Sequence, residues 1–280
     1  MNPKYYILLT LFLSACAYSP TSDMYSKCEF PTNQVYPGGL INYKLKLELN
    51  DEDIKNALKA DELDYLICKS KDSDVNIIIP IPLSFEKREI TVSISNLFET
   101  TFDIKDKFYR ESRIKITNQD FVSPPSSMQD RIRNEYLQGL KAKQTVSKGY
   151  LRNSKMLRPT DGVISSEFGV QRFINDQPRN RHLGLDIAAK EGSPVIAPLE
   201  GKIILSENFF YKGNVIFIDH GDGFITSYSH LSKRLVDKGQ NISRGEVLGY
   251  VGSTGRVTGP HLHWEVTLLG ISVNPEMFIN

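Results

Sequence analysis

The chain is poor in cysteine and carries almost no net charge. Its 280 residues contain three cysteines, too few for the disulfide network of a small protein without a large core. The 34 basic and 33 acidic residues give a formal net charge of +1, and no basic stripe stands out. We therefore do not expect a nucleic acid as partner. With 40% hydrophobic residues the chain can form substantial cores, and its length is typical of two domains of roughly 100–200 residues each.

Long apolar runs are also missing, apart from a short one at the start of the chain. Residues 5–13 are almost wholly apolar and follow a weakly positive start at residues 1–4. A run of about nine residues is too short for a membrane-spanning helix, which needs ~20. The pattern is instead typical of a secretion signal.

The motif Leu13-Ser14-Ala15-Cys16 comes directly after this run. It resembles the lipobox of bacterial lipoproteins. The resemblance implies that residues 1–15 are a signal peptide and that a lipid on Cys16 anchors the chain to a membrane. Ala17 stands where an aspartate is associated with retention at the inner membrane, so we expect the periplasmic face of the outer membrane. An ordinary cleaved signal, with an incidental Cys16, is the alternative.

The first half of the chain has few glycines and no histidine. Four of the 19 glycines precede Gly162, and all five histidines follow it, which argues against a metal site in this half. A lipid on Cys16 would leave Cys28 and Cys68 as a candidate disulfide pair, which the sequence alone does not decide. Strands are predicted at residues 40–49, 75–80 and 89–95, and a short helix at 51–60. We expect a small β-rich domain over residues 28–122, without catalytic residues.

A proline break and a single helical pattern connect the two halves. Ser123-Pro124-Pro125 interrupts regular structure, and Ser126 and Ser127 are candidate N-caps. Apolar residues then recur every four positions up to about Thr145, namely Met128, Ile132, Tyr136 and Leu140. The pattern predicts a helical linker over residues 123–154, with a connecting rather than a partner-binding role.

Short strand patterns separated by glycine turns fill residues 155–280, and no helix-length periodicity interrupts them. A turn at His220-Gly221-Asp222-Gly223 is expected to close a hairpin. The predicted strands are 192–198, 201–206, 214–219, 224–230, 246–251 and 261–268. The expected fold is therefore mainly β, with an antiparallel C-terminal domain.

The histidines of this half are spaced for a metal ion. His261 and His263 point to one side only if their segment is a strand. His182 and Asp186, four residues apart, share a face in a strand or in a helix, and Gly184 between them disfavours the helix. Two imidazoles and one carboxylate suit a catalytic zinc site with one position open for water, whose pKa zinc lowers from ~15.7 towards ~7. The spacing does not tell which histidine of the 261/263 pair binds the metal.

Three separated motifs together resemble the lysostaphin/LytM-type zinc metallopeptidases, which cut peptidoglycan cross-links. The motifs are His182-x-x-x-Asp186, Ser229-His230-Leu231 and His261-Leu262-His263. The resemblance covers about residues 157–280 and implies a LytM-type domain there. It implies that His182, Asp186 and His263 bind Zn²⁺. It also implies that His230 and His261 are catalytic, polarising the attacking water and stabilising the tetrahedral intermediate.

Two further polar residues lie near these motifs. His220 is the histidine that the resemblance leaves over, and its glycine turn suggests a role in the turn. Glu265 shares a strand face with His263 and is expected either to orient that imidazole or to serve packing or solvation.

The resemblance implies a zinc endopeptidase whose substrate is peptidoglycan, cutting the bond between D-alanine and meso-diaminopimelate in a Gram-negative host. A carboxypeptidase that trims a terminal residue would use the same side chains. A non-catalytic activator of a murein amidase is a further alternative, which the intact ligand set disfavours. Some Gram-positive relatives have a tyrosine shortly before the first ligand, where this chain has Asn175, Asp176 and Arg179. This departure argues against glycine bridges as the substrate.

Overall fold

The described part of the chain consists mainly of antiparallel β-strands, as predicted. The structure is a computed structural model, and it describes residues 29–45, 57–69, 75–148 and 153–279. The predicted signal peptide, Cys16 and Cys28 lie outside these residues. Cys68 is disulfide-bonded, while its pairing with Cys28 stays a prediction. Within the described ranges, no helix is long and apolar enough to cross a membrane.

Two three-stranded antiparallel sheets occupy the first half, one in the order β1-β4-β3 and the other in the order β2-β5-β6. Their strands are β1 (Leu40–Leu45), β2 (Leu58–Ala60), β3 (Leu66–Lys69), β4 (Val75–Pro80), β5 (Glu89–Ile94) and β6 (Phe98–Asp103). The predictions of strands at 75–80 and 89–95 are confirmed. The prediction at 40–49 is confirmed up to Leu45, and residues 46–49 lie outside the described part.

The predicted helix at residues 51–60 is wrong at its end. Leu58–Ala60 is a strand paired with β5, and residues 51–56 lie outside the described part. Leu58 and Ala60 are buried while Lys59 between them is exposed. This alternation fits a strand with one covered face, and the ladder to β5 outweighs the local helical preference.

Strand β4 is buried on both faces and connects two apolar cores. Ile77 and Ile79 pack into a cluster formed by the first half of the chain. Ile78, which points to the opposite face, packs in a second cluster with residues of the C-terminal half such as Leu185 and Trp264. Because successive side chains of a strand point to opposite sides, this one strand lies between both cores.

The linker contains the predicted helix. Helix α1 (Gln129–Lys143) follows short 3₁₀ turns at Gln119–Phe121 and Ser126–Met128. The expectation that Ser126 or Ser127 caps the helix is wrong, because both lie in the preceding turn and no side chain caps the helix. Asn118 instead caps the first of the 3₁₀ turns.

A small sheet joins the two halves. Its strands are β7 (Glu111–Ile114), β9 (Gln171–Ile174) and β10 (Gln177–Pro178), in the order β10-β9-β7. The β7–β9 pair is parallel and joins residues about 60 positions apart.

A ten-stranded sheet forms the rest of the C-terminal half, and its central path runs in the order β16-β13-β14-β15-β18-β11-β8. Strands β12, β17 and β19 pair alongside this path. The strands are β8 (Val163–Ser166), β11 (Leu185–Ala188), β12 (Pro194–Ile196), β13 (Gly201–Phe209), β14 (Gly213–Asp219), β15 (Phe224–Arg234), β16 (Asn241–Ile242), β17 (Val247–Val251), β18 (His261–Leu268) and β19 (Ile271–Val273). A final 3₁₀ turn spans Pro275–Phe278.

The predicted hairpin after β14 is confirmed. Strands β14 and β15 pair antiparallel, and Gly221, Asp222 and Gly223 all have positive φ in the turn between them. The Asp219 carboxylate accepts a hydrogen bond of 2.9 Å from the Gly221 amide. A tight reversal of this kind favours glycine, which tolerates positive φ.

The central strand β18 separates the core from the polar side of the sheet. Leu262, Trp264 and Val266 are fully buried in the larger apolar cluster. The alternating residues His261, His263 and Glu265 therefore point to the other side. All five of the site residues predicted from the sequence lie on or beside β11, β15 and β18.

Candidate metal centre

Strand register brings the predicted ligands together. In the β11–β18 ladder Asp186 lies opposite His263, and in the β15–β18 ladder Ser229, next to His230, lies opposite the same residue. His182 precedes β11. A side chain at Gly184 would place its Cβ 2.6 Å from the Trp264 carbonyl oxygen and 2.9 Å from Cε1 of His263. Glycine at 184 therefore lets the ligand segment approach β18 closely.

Three ligand atoms converge within this arrangement. His182, Asp186 and His263 are buried, and their ligand atoms lie within 4.8 Å of one another. Nε2 of His182 is 2.9 Å from Nδ1 of His263 and 3.0 Å from Oδ1 of Asp186. Nδ1 of His263 is 2.7 Å from the same carboxylate oxygen. The geometry thus selects His263, rather than His261, as the member of the pair that completes this group.

Hydrogen bonds on the outer side fix which imidazole nitrogen faces inward. Nδ1 of His182 lies 2.7 Å from the Glu167 carbonyl oxygen, which can only accept, so this nitrogen donates. Nε2 of His263 lies 2.8 Å from Oε1 of Glu265 and donates likewise. Two nitrogen lone pairs and a carboxylate oxygen therefore face one another. A divalent cation stabilises such a group, and this donor set is one that zinc prefers.

Burial and the contacts among the ligands together favour the metal-binding protonation states of His182 and Asp186. Burial lowers the pKa of His182 to about 4, although Asp186 opposes the shift. Burial alone would raise the pKa of Asp186, but hydrogen bonds and charge interactions with His182 and His263 hold that pKa well below its usual value. At neutral pH the group accordingly contains a neutral His182 and an ionised carboxylate.

His230 and His261 lie together at the edge of this group. Their ring centroids are 4.8 Å apart, and the His230 ring is 6.0 Å from that of His263. Nδ1 of His230 donates to the Thr254 carbonyl (2.8 Å), and Nδ1 of His261 to the Gly259 carbonyl (2.9 Å). Both rings therefore present Nε2 as an acceptor, and that of His261 is 3.9 Å from Oδ1 of Asp186.

The electrostatic surroundings favour neutral rings at these two positions. Burial lowers the pKa of His230 well below its usual value, and the neighbouring His261 and His263 add to the shift. Burial also lowers the pKa of His261, against the opposing charge of Asp186. Neutral imidazoles at neutral pH can accept a proton, as a general base must.

His220 takes no part in this group. Its Nδ1 lies 2.7 Å from the Glu200 carbonyl oxygen and its Nε2 lies 2.8 Å from the Thr226 hydroxyl. These contacts join the end of β14 to its neighbours. The contacts agree with the expected structural role of a turn histidine.

Glu265 is placed to orient His263. It is buried, so the alternative of a solvent-facing role is wrong. Besides His263, its carboxylate contacts Lys212 (2.6 Å) and Lys143 of α1. Burial would raise its pKa, but the two lysines hold that pKa well below the usual value. The Glu265–His263 pair was visible in the i, i+2 spacing, whereas no sequence signal connects the distant lysines to it.

Arg172 of β9 also contacts the group, and the sequence analysis missed it. Its guanidinium forms an ion pair with Oδ2 of Asp186. The parallel pairing of β9 with β7 helps to determine its position, and neither strand was predicted.

Two imidazoles and one carboxylate, with two further neutral histidines beside them, form a site of the kind that can hold a catalytic metal ion. The model of peptidase family M23 matches residues 180–275. The structure aligns with that of a Pseudomonas aeruginosa protein assigned to peptidase M23, with a TM-score of 0.67 and 32% identity over 88% of this chain and 95% of the other. The chain belongs to peptidase family M23, whose members are zinc-dependent metallopeptidases.

Curated relatives are similar over part of the chain. The chain is 48% identical over 112 residues to peptidoglycan DD-endopeptidase ShyA of Vibrio cholerae, covering 40% of this chain and 26% of the relative. It is 36% identical over 150 residues to ShyC of the same organism, covering 53% and 33%. A DD-carboxypeptidase/endopeptidase, Mpg of Neisseria meningitidis, is 44% identical over 112 residues, covering 40% and 26%. The chain thus spans about a quarter to a third of the length of these relatives.

Proposed function

We propose that this chain is a zinc-dependent DD-endopeptidase that hydrolyses the D-alanine–meso-diaminopimelate cross-links of bacterial peptidoglycan. The observation that carries the proposal is the complete group of His182, Asp186 and His263 with two neutral histidines beside it. The names of the relatives in Vibrio cholerae, peptidoglycan DD-endopeptidases, support peptidoglycan as the substrate and a bond of the DD class.

Each site residue has a role in this proposal. His182, Asp186 and His263 would hold the zinc ion, which would supply Lewis-acid activation of water and of the scissile carbonyl. His230 and His261 present Nε2 towards the reacting groups. One accepts the proton of the attacking water, and the imidazolium formed in this way can donate a hydrogen bond to the developing oxyanion before it returns the proton to the leaving amine. The other accepts a hydrogen bond from the water through Nε2 and so orients it.

Digestion of purified sacculi tests the proposal. We expect the wild-type protein to convert cross-linked muropeptides to monomers, with a new amine on diaminopimelate, as measured by mass spectrometry. His263→Ala should bind no zinc and leave the cross-links intact. A matched His220→Ala protein, which changes a histidine outside the group, should keep both properties. Zinc-loaded wild-type protein that leaves the cross-links intact would contradict the proposal.

A carboxypeptidase activity is the second candidate, because Mpg of Neisseria meningitidis combines both activities in its name. The same digest separates the two, since a carboxypeptidase releases free D-alanine from pentapeptide monomers without reducing cross-linking. The activator of a murein amidase has no comparable support, because the ligand group is complete. Stimulation of an amidase by the His263→Ala protein would support this alternative.

The proposed location is the periplasmic face of the outer membrane, with a lipid on Cys16. The motif at residues 13–16 supports this proposal, and peptidoglycan would lie within reach of a protein anchored there. We expect Cys16→Ser to abolish incorporation of labelled fatty acid and to release the protein from the membrane fraction. Membrane retention of Cys16→Ser would show that another feature anchors the chain.

A further inference from the structure

Arg172 lies where the metal group meets the solvent. Its Nη2 contacts Oδ2 of Asp186, while Oδ1 of the same carboxylate faces the two imidazoles. Nη2 is also 3.4 Å from the Ser166 hydroxyl. About a quarter of the side chain is exposed (27%). The guanidinium therefore contacts the ligand group through Nη2, and part of the Arg172 side chain remains accessible to solvent.

The Arg172 guanidinium has more N–H donors than its contacts with Asp186 and Ser166 use. It carries five N–H groups, and its hydrogen bonds to Ser166 and Asp186, within the part of the chain that the structure describes, both come from Nη2. In the β7–β9 pair Arg172 lies opposite Ser112, so the backbone beneath it is held by both halves of the chain. A fixed guanidinium with a free edge can form the paired hydrogen bonds that a carboxylate accepts.

Further positive charge surrounds Arg172. Burial lowers the pKa of Arg256, and the positive charges of Arg179 and Arg172 lower it further, so each of these two guanidinium groups lies within electrostatic reach of Arg256. Arg256 lies over the Tyr211 ring at 4.3 Å. Like charges gathered at one edge of a site repel each other unless an anion joins them. The arrangement is therefore suited to an anionic substrate.

We infer that Arg172 binds the carboxylate carried by the carbon atom next to the scissile nitrogen. This inference rests on the proposed function and specifies how the site selects its bond. In the D-alanine–diaminopimelate cross-link the leaving amine sits on a carbon that bears a free carboxylate, as it does in a D-alanyl-D-alanine terminus. An internal glycine of a peptide bridge has no such group. Arg172 is thus a specificity residue for DD-bonds.

A matched pair of synthetic cross-linked peptides tests the inference. One peptide has a free carboxylate on the carbon next to the scissile nitrogen, and the other has a carboxamide at the same place. For a charge-assisted contact we expect a preference of roughly 10–100-fold in kcat/KM for the carboxylate form, which corresponds to about 1.4–2.8 kcal/mol. Arg172→Gln should bring this ratio close to one, mainly by lowering kcat/KM for the carboxylate peptide. Arg172→Lys should keep part of the preference, because it retains the charge but loses the planar pair of donors.

Controls separate recognition from positioning. The zinc content of both Arg172 variants should equal that of the wild type, and Arg88→Gln, which removes an exposed arginine paired with Asp106, should leave the ratio unchanged. Calorimetric titration of both peptides into His263→Ala, which hydrolyses neither, should show the same preference in binding, and Arg172→Gln in that background should abolish it.

The possible failures are distinguishable. If Arg172→Gln lowers kcat/KM for both peptides by the same factor, Arg172 only positions Asp186 and the inference is wrong. If the wild type cleaves both peptides equally well, the inference is wrong while the proposed function stands. If the wild type cleaves neither peptide and also leaves the cross-links of sacculi intact, both the proposed function and the inference are wrong.

Discussion

His182 and His263 present different nitrogens to the metal group, and their outer contacts explain the difference. The Glu167 carbonyl accepts a hydrogen bond from Nδ1 of His182, and the Glu265 carboxylate accepts one from Nε2 of His263. A backbone carbonyl is insensitive to side-chain substitution, whereas the partner of His263 can be changed. Glu265 is therefore the experimentally accessible determinant of ligand orientation.

Glu265→Gln should weaken zinc binding by about 10-fold or more. The amide oxygen can still accept from His263, but the negative charge that raises the basicity of the ring is lost. The measurement is the zinc dissociation constant from competition with a chelator. Glu207→Gln, an exposed change on β13, is the control, and an unchanged zinc affinity in Glu265→Gln would show that the contact has no influence on the metal.

Gly184→Ala should damage the site without touching a ligand. The added Cβ would meet the Trp264 carbonyl oxygen at 2.6 Å and Cε1 of His263 at 2.9 Å, so strand β18 must shift. Overpacking of this kind destabilises by roughly 1–3 kcal/mol, and the displaced imidazole should lower zinc occupancy as well. Thermal unfolding and metal analysis measure both effects.

Gly259→Ala is the matched control for this change. A Cβ at Gly259 meets no atom within 4 Å, although the residue is close in sequence to His261. The control should keep wild-type stability and zinc content. Equal behaviour of the two variants would contradict the close approach of Gly184 to β18.

The sequence identified the ligand residues because their spacing is local. Two-residue and four-residue intervals place side chains on one face of a strand, and the family resemblance then assigned His263 over His261. Arg172 and the lysines that contact Glu265 were not predicted, because long-range pairing brings them to the site. No local pattern encodes the β7–β9 register or the contact between the end of α1 and β18.

At the scale of the element, helix α1 shows how a correct helix prediction can mislead about its packing. The predicted apolar stripe includes Tyr136, which is 66% exposed. Three of its four residues, Ile132, Tyr136 and Leu140, line a cavity of about 1140 Å³ between the helix, a loop of the first half and the ten-stranded sheet. The helix instead packs through its smallest residues, Gly139 and Ala142, which are buried. Hydrophobicity alone predicts that the larger side chains face the sheet, whereas a close approach of the helix to the sheet needs small residues at the contact.

Ala142→Glu should therefore loosen α1 from the sheet. Ala142 packs against Phe209, Phe217 and other buried residues of β13 to β15, and a carboxylate there would lie in an apolar cluster. We expect a loss of roughly 2–4 kcal/mol in the free energy of unfolding, together with faster proteolytic cleavage in the linker.

Gln138→Glu introduces the same charge at an exposed position of α1 and should leave both measurements unchanged. The comparison removes the general effect of an added negative charge on the helix. If the two variants are cleaved at equal rates, Ala142 does not hold the helix against the sheet.

At the scale of the whole molecule, the shift in glycine and histidine content suggested two separate domains. The division at residues 122 and 155 stays a prediction, but the structure shows apolar contacts across it. Leu40, Cys68 and Ile78 from the first half share one buried cluster with the C-terminal half, and the Gly38 carbonyl accepts a hydrogen bond of 2.9 Å from the Asn274 amide. The continuous apolar run Ile77–Ile79 was a usable signal, because a strand buried on both faces lacks polar alternation.

This shared core predicts that the two halves unfold together. Ile78→Ala removes a fully buried side chain from the larger cluster and should lower the free energy of unfolding by about 2–5 kcal/mol. Because the cluster also supports strands β11 and β18, zinc release should move to lower temperature in step with the loss of secondary structure. Circular dichroism and a zinc-sensitive dye, followed in the same heating experiment, measure both.

Leu97→Ala, at a 63% exposed position of the first half, should move neither transition. An Ile78→Ala protein that loses part of its secondary structure early but releases zinc at the wild-type temperature would show that the first half unfolds on its own.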